Sequence, residues 1–180
     1  MSLMIKASRF NEEVYFARED IAAFGTEEIE WLKSRAAENR RTRCRLCLHH
    51  DIDAAVHEML IVHKQGIYVP PHKHLTKTES IHIIEGLVDL VCFTDDGKVR
   101  DVVRLGEKGR DARVYCRMIE GIYHSLVILS EWMVAHETTT GPFHNAVKMV
   151  YATWAPGEDE PAAGARFLSD ALSQRAGRQG

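Results

Sequence analysis

The chain has 180 residues, 45% of them hydrophobic, and its 23 basic and 26 acidic residues give a formal net charge of -3. This length predicts one domain that buries roughly 70% of its unfolded surface, and the charge balance does not indicate nucleic acid or an anionic membrane as a partner. No apolar run approaches the ~20 residues of a membrane span. The N-terminus lacks a basic-then-apolar signal pattern, so we expect a cytoplasmic protein.

The N-terminal segment is predicted to add a strand and a helix to the main body of the fold. Residues 13–17 read as a strand, and Thr26 is a suitable N-cap for a helix with an acidic first turn. The apolar residues that follow recur on one helical face, and the helix is expected to end near Asn39. The basic residues 40–43 then read as a solvated connector.

From Cys44 onward the sequence favours one short strand after another. Residues 95–98 place Asp-Gly at the centre of a hairpin turn. A short helix is expected in the tail at 163–174. Beyond a first strand near residues 43–49, further strands are predicted at 59–63, 80–84, 87–93, 99–105, 113–119, 125–129, 132–138 and 147–154.

Many short strands separated by turn signals predict an antiparallel sandwich or barrel. We therefore expect a mainly β fold, a jelly-roll barrel with an N-terminal strand and helix and a short C-terminal helix. The predicted organisation is a strand–helix extension at 1–43 packed on the barrel, the barrel at 44–155, and a partly helical tail at 156–180.

Two of the four cysteines form a C-x-x-C pattern that could indicate redox or zinc chemistry. Cys44 and Cys47 fall in a segment that alternates like a strand, where residues three apart face opposite ways and lie ~10 Å apart. A disulfide needs Cα atoms at ~4.4–6.8 Å. Because Cys92 and Cys116 are isolated, no second C-x-x-C completes a zinc site, and we expect free thiols.

The stretch from Gly66 to Gly86 carries the candidate metal ligands. His72 and His74 are two residues apart, so on a strand both imidazoles project from one face. Glu79 lies at an odd offset and reaches that face only if the chain turns at residues 75–78 and returns antiparallel. Two imidazoles and a carboxylate that converge can hold a divalent metal.

The spacing in this stretch resembles the first sequence motif of the cupin superfamily without a departure. Gly66, five residues, His-x-His, four residues, Glu79, six residues and Gly86 all agree. The resemblance implies a double-stranded β-helix, the cupin jelly roll, with a metal inside it. The two glycines would tolerate positive φ at the strand ends.

Cupins complete the metal site with a histidine from a later strand, and the candidate is His124. Gly121 and His124 fit the second cupin motif. Arg113, Ile119 and Ile128 depart from it, because they stand where the motif has glycine, proline and asparagine. The alternative for His124 is a structural histidine at a strand edge.

Further segments make the chain similar to the WbuC family of cupin metalloproteins over most of its length, roughly from Phe16 to Trp154. They are residues 45–49, 69–74 and 137–143, together with the strand and helix before the barrel. That family is associated with bacterial surface-polysaccharide gene clusters. The resemblance implies a small-molecule ligand that is carbohydrate-like, and a homodimer.

Three histidines and a carboxylate leave one or two positions open on a five- or six-coordinate Zn, Fe, Mn, Ni or Co ion. An open position allows the metal to bind a substrate oxygen or activate water. Tyr68 and Glu137 are candidate catalytic groups: Tyr68 shares the parity of His72 if the strand is unbroken, and Glu137 precedes a turn. The alternatives are a core tyrosine and a salt-bridged glutamate.

Three functions therefore remain open. The first is a metal-dependent enzyme, an isomerase or epimerase, that acts on a small sugar-like molecule in surface-polysaccharide metabolism. The second is a non-catalytic, metal-dependent sugar-binding or regulatory module. The third is an iron-dependent dioxygenase.

Overall fold

The computed structural model describes residues 5–143 and 149–176, which form a mainly β fold with two helices. In chain order the elements are β1 (Ala7–Arg9), β2 (Val14–Ala17), α1 (Thr26–Glu38), β3 (Arg43–Cys47), β4 (Val56–Lys64), β5 (His72–His74), β6 (Glu79–Glu85), β7 (Leu87–Phe93), β8 (Val99–Gly106), β9 (Tyr115–Met118), β10 (Tyr123–Ile128), β11 (Trp132–Thr140), β12 (Met149–Tyr151) and α2 (Pro161–Ala176).

The strands form two facing sheets of a jelly roll. The seven-stranded sheet has the order β1-β2-β3-β4-β11-β6-β9, and the five-stranded sheet has the order β12-β5-β10-β7-β8. β2 runs parallel to β3, whereas β4 pairs antiparallel with both β3 and β11. The predicted jelly-roll fold is confirmed. Within the described ranges, however, the ladders join the strands into two separate sheets rather than one closed barrel.

An apolar core fills the space between the two sheets. Ile81 and Ile83 from β6 pack in one cluster with Val88 and Leu90 from β7. On β6 every second residue from Glu79 to Ile83 is buried, because successive side chains point to opposite faces. The inward-facing residues of β6 include Glu79, so this alternation aims one carboxylate into the interior.

Helix α1 covers the outer face of the seven-stranded sheet. Ile29 and Leu32 are buried against strand residues that include Leu46 and Leu60. The N-cap is Gly25 rather than the predicted Thr26, which is the first helical residue. The backbone N–H of Gly25 donates to Glu28 Oε2 at 2.7 Å, so the acidic first turn satisfies the helix end.

Helix α2 covers the outer face of the five-stranded sheet. Leu168 is buried in a cluster with Val91 and Phe93 from β7. Gly164 lies so close to the Tyr68 ring that an added Cβ would sit 2.3 Å from Cε1. The helix spans Pro161–Ala176 and therefore contains the predicted segment 163–174.

The predicted role of the two motif glycines agrees with the backbone. Gly66 has φ 89° and Gly86 has φ 88°, both in the left-handed region that favours glycine. At Gly86 a Cβ would also lie 2.1 Å from the carbonyl oxygen of Trp132. The turn between β6 and β7 therefore requires glycine for both its conformation and its space.

The basic connector is not simply solvated. Arg43 pairs with Glu13 at 2.8 Å and with Glu158 at 3.0 Å, and Arg41 pairs with the same two carboxylates. These ion pairs connect the N-terminal extension to the segment before α2.

The division into extension, barrel and tail remains a prediction. In the structure, β1 and β2 belong to the same sheet as β4.

The remaining sequence predictions can be placed on the described residues. Cys44 and Cys47 are free, and burial raises the pKa of their thiols to about 12 and about 11.

The last predicted strand corresponds to β12, although Val147 and Lys148 lie outside the described residues. Neither helix in the described part of the chain is long and apolar enough to cross a membrane.

Candidate metal centre

Three histidines converge at one end of the five-stranded sheet. His72 and His74 are the two ends of β5, and His124 on β10 lies directly opposite His72 in the strand register. Each of the three offers a ring nitrogen, and these nitrogens all lie within 4.8 Å of one another. The structure thus brings together the three predicted histidine ligands.

Glu79 reaches the histidines from the opposite sheet. Its Oε2 lies 3.3 Å from His74 Nε2 and 3.5 Å from His124 Nε2. The predicted antiparallel return beside β5 is wrong in its route, because β5 and β6 belong to different sheets. The connection passes from one sheet to the other, and the four predicted ligands converge between the sheets.

Backbone carbonyls fix the orientation of two of the imidazoles. His72 Nδ1 lies 2.9 Å from the Pro70 oxygen, and His124 Nδ1 lies 3.0 Å from the Ile122 oxygen. A carbonyl oxygen only accepts hydrogen bonds, so each Nδ1 must carry the proton. In the neutral ring Nε2 is then unprotonated, as a metal ligand must be.

The environment sets the charge state of the donors. Burial, together with the nearby His124, lowers the pKa of His72 to about 4, so the ring stays neutral at physiological pH. Burial raises the pKa of Glu79, but His124 and His74 outweigh it and hold that pKa well below its ordinary value. The centre therefore presents a neutral imidazole and an ionised carboxylate.

The pKa of His124 is set by two opposing effects. Burial lowers its pKa, but the Glu79 carboxylate more than offsets this, so the pKa lies above its ordinary value. Without a metal, the Glu79 carboxylate favours the protonated, positively charged form of His124. A metal ion at the same place would replace that proton.

The donor set fits a divalent transition metal. Glu79 Oε2 is buried and has no hydrogen-bond partner in good geometry among the residues described. A buried carboxylate oxygen without a partner is costly, and a cation would satisfy it. Imidazole nitrogens with one carboxylate oxygen suit Zn, Fe, Mn, Ni or Co, and the geometry does not select one of them.

Glu137 lies beside the four ligands. It lies on β11 opposite Ile81. Ile81 is two residues after Glu79 on β6, so Glu137 and Glu79 face the same side of the sheet. Burial and the negative charge of Glu79 raise its pKa well above the ordinary value, and a hydrogen bond with Glu79 adds to this. The predicted catalytic glutamate thus lies near the site, and its surroundings favour the protonated form of its carboxyl group.

Tyr68 does not join this group. Its ring lies in the cluster beneath α2, and its hydroxyl donates to the Pro156 oxygen at 2.8 Å. The expected inward orientation is wrong, because β5 begins only at His72 and Pro70 and Pro71 interrupt the parity. Burial raises the pKa of Tyr68 to about 12. Its catalytic role stays a prediction that no contact described for this residue supports.

Two cationic residues near Glu137 were missed by sequence reasoning. Lys77 is 5% exposed, lies two residues before Glu79, and places its ammonium 4.8 Å from the Phe143 ring centroid. Arg45 on β3 places Nη1 4.0 Å from Met59 Sδ, and Met59 pairs with Glu137. Adjacency to the motif could have indicated Lys77. Arg45 has no local signal, because its strand is distant in the chain.

Other candidates face away from the centre. Tyr115 is 53% exposed and its hydroxyl donates to Ser80 Oγ at 3.0 Å, so the Tyr115–Arg117 face points outward. His82 is also exposed on the outer face of β6, as its parity with Glu79 predicts. These residues are therefore useful as controls rather than as parts of the site.

Comparison with known proteins gives a family match over part of the chain. A sequence family described as a domain of unknown function (DUF6016) matches residues 24–105. The matched segment runs from α1 to β8 and contains His72, His74 and Glu79, but it ends before His124. No curated protein matches the chain.

Several solved structures are similar to this fold. Protein SO0799 from Shewanella oneidensis has a TM-score of 0.50 and 8% identity, with 71% of this chain and 81% of that chain covered. The Cnp3 cupin domain of Schizosaccharomyces pombe has a TM-score of 0.44 and 13% identity, with 56% and 66% covered. At 8% identity the likeness to SO0799 shows the fold alone.

A third similar structure is a variant of Bacillus subtilis oxalate decarboxylase OxdC, with a TM-score of 0.44 and 16% identity. The match covers 56% of this chain and spans 25% of the decarboxylase chain.

Proposed function

We propose that this chain is a cupin metalloprotein that holds one divalent transition metal through its three clustered histidines and Glu79. The observation that carries the proposal is the convergence of four donors from both sheets on one buried point. The unpartnered Glu79 oxygen and the two Nδ1–carbonyl contacts support it, since they leave three acceptor atoms aimed at that point.

We further propose that the protein is a metal-dependent enzyme acting on a small, polar, sugar-like molecule. When bound, the metal would supply an open coordination position for a substrate oxygen. The buried Glu137 carboxyl can donate a proton to that substrate and take it back. The apolar core around Ile81 and Leu90 excludes water from the inner side of the site.

An isomerase or epimerase suits this arrangement best, because those reactions move a proton without needing a second substrate. The WbuC-like segments support a place in surface-polysaccharide metabolism. A homodimer remains a prediction from the same resemblance. A purely binding module is the alternative outcome of the tests, and it would require a ligand but no turnover.

Elemental analysis of the purified protein tests the metal site directly. We expect close to one equivalent of transition metal in the unaltered chain and almost none in the His72→Ala, His74→Ala double variant. His82→Ala is the matched control, because it removes an exposed histidine from β6, the next strand in the chain after β5. Equal metal content in the double variant, with an unchanged circular dichroism spectrum, would refute the proposal.

A further inference from the structure

Tyr151 lies in one cross-strand row with two of the proposed metal ligands. It pairs with His72 on the neighbouring strand β5, and His72 pairs in turn with His124 on β10. Directly opposed residues of neighbouring strands project from the same face of a sheet, so Tyr151 projects toward the side on which the donors converge. Its ring centroid lies 6.1 Å from that of His72, with the two ring planes inclined by 57°. Sheet pairing thus places an aromatic ring beside the candidate metal centre.

This row of side chains runs from the buried interior to the surface. On β7 it continues with Cys92, which is 7% exposed and pairs with His124, itself 4% exposed. At the other end Tyr151 is 49% exposed, and β12 is the outermost strand of its sheet within the described residues. The side of the centre that is open to solvent is therefore the side on which the Tyr151 ring lies.

The Tyr151 ring is not part of the apolar core. No buried cluster formed by the described residues includes it, whereas the Tyr68 ring lies in the cluster beneath α2. Packing of the described core therefore does not account for an aromatic residue at position 151. A half-exposed aromatic ring next to converging polar groups is typical of a ligand pocket.

We infer that Tyr151 is a specificity-determining residue of this centre, and that its ring packs against the face of a cyclic, sugar-like ligand held at the metal. The inference rests on the proposed function and specifies the shape of the ligand. A sugar ring presents C–H groups on its faces and hydroxyl groups at its edge. The tyrosine ring has an electron-rich face for the first, and its hydroxyl both donates to and accepts from the second. An open-chain molecule has no such face to pack on the ring.

Titration of the Co²⁺-loaded protein with two hydroxamates tests this, with the visible absorption of Co²⁺ as the signal. Cyclohexanecarbohydroxamate carries a saturated ring, and acetohydroxamate carries a methyl group on the same metal-binding head group. We expect the ring compound to bind about three- to tenfold more tightly, which is the range of a good contact with an aromatic ring. Tyr151→Ala should lower this affinity ratio by about threefold or more, whereas Tyr151→Phe keeps the ring and should preserve the ratio.

Controls separate this inference from the proposed function. Tyr115→Ala removes a similarly exposed tyrosine, 53% against 49%, from β9 and should leave the ratio unchanged. Tyr151→Thr has a β-branched side chain that suits a strand, and it is the second ring-free variant should Tyr151→Ala unfold. Failure to take up Co²⁺, or to bind either hydroxamate, would contradict the proposed function. Binding without a ring preference, or with one that survives loss of the Tyr151 ring, would overturn the inference alone.

Discussion

His124 on β10 stands directly opposite His72 on β5, and their ring centroids are 4.4 Å apart. The cross-strand register therefore fixes the separation of two proposed metal donors independently of any metal. A shift of one residue in either strand would turn one imidazole to the opposite face, where α2 packs. The metal centre thus depends on sheet pairing as much as on the identity of its histidines.

Replacing His124 tests this pairing. His124→Ala should reduce metal affinity by at least 100-fold, because even residues that only orient metal ligands contribute about 10–100-fold. Competition with a chelator of known affinity measures the change. His136→Ala on β11 is the control, since that ring lies by Phe24 rather than at the metal centre. A His124→Ala protein with undiminished affinity would remove His124 from the ligand set.

Metal affinity should fall as the solution becomes acidic. Glu79 raises the pKa of His124 above its ordinary value despite burial, so protons compete with the metal at a higher pH than they would at an ordinary histidine. His72 has a pKa of about 4 and adds little competition until much lower pH. We expect about a tenfold loss of affinity per pH unit below that of His124. Metal retention that is the same at pH 5 and pH 8 would contradict histidine ligation.

His63 should make the fold sensitive to acid. Burial, together with the charges of Arg43 and Arg45, lowers its pKa to about 3, and its Nδ1 has no hydrogen-bond partner in the described chain. The unfolded chain takes up a proton near pH 6.5, whereas the folded protein does not until about pH 3. Stability is therefore present above pH 6.5 and is lost as the pH falls through this window, by about 1.4 kcal/mol per unit.

The His63→Gln variant measures that contribution. Glutamine cannot titrate, so the free energy of unfolding should fall less steeply between pH 6.5 and pH 4 than in the unaltered chain. Urea denaturation at a series of pH values gives both slopes. Parallel slopes would show that His63 is protonated in the folded state.

Replacing Gly164 tests how closely α2 packs against the five-stranded sheet. Alanine normally stabilises a helix by about 1 kcal/mol relative to glycine. At this position its Cβ would lie 2.3 Å from the Tyr68 ring, so Gly164→Ala should instead destabilise the fold by about 1–3 kcal/mol. Chemical denaturation measures whether the substitution raises or lowers the free energy of unfolding. Ala165→Gly, at the exposed next position, controls for helix propensity, and a stabilised Gly164→Ala protein would contradict the packing.

The sequence contains most of the information about the candidate site because three of the four proposed ligands lie within eight residues. Their spacing, together with glycines that adopt positive φ, predicts His72, His74 and Glu79 without any long-range contact. The jelly-roll class follows from strand periodicity and turn signals. What spacing does not contain is the route of the chain from β5 to β6, which crosses between sheets.

The remaining parts of the site depend on tertiary structure. Tyr68 was expected to face the interior, but prolines before β5 break the alternation on which that expectation rested. Arg45 comes from a strand paired through β4, so only the assembled sheet brings it near Glu137. A residue that approaches a site across an intervening strand leaves no local pattern to detect.

The placement of the four donors on both sheets has a consequence for the durability of the fold. An ion held there would act as a cross-link between two layers that otherwise adhere through apolar contacts. Resistance to heat would then vary with the free metal concentration, by about 2.7 kcal/mol when the metal is at 100 times its dissociation constant. Chelation would loosen the interior first at the end where the histidines meet.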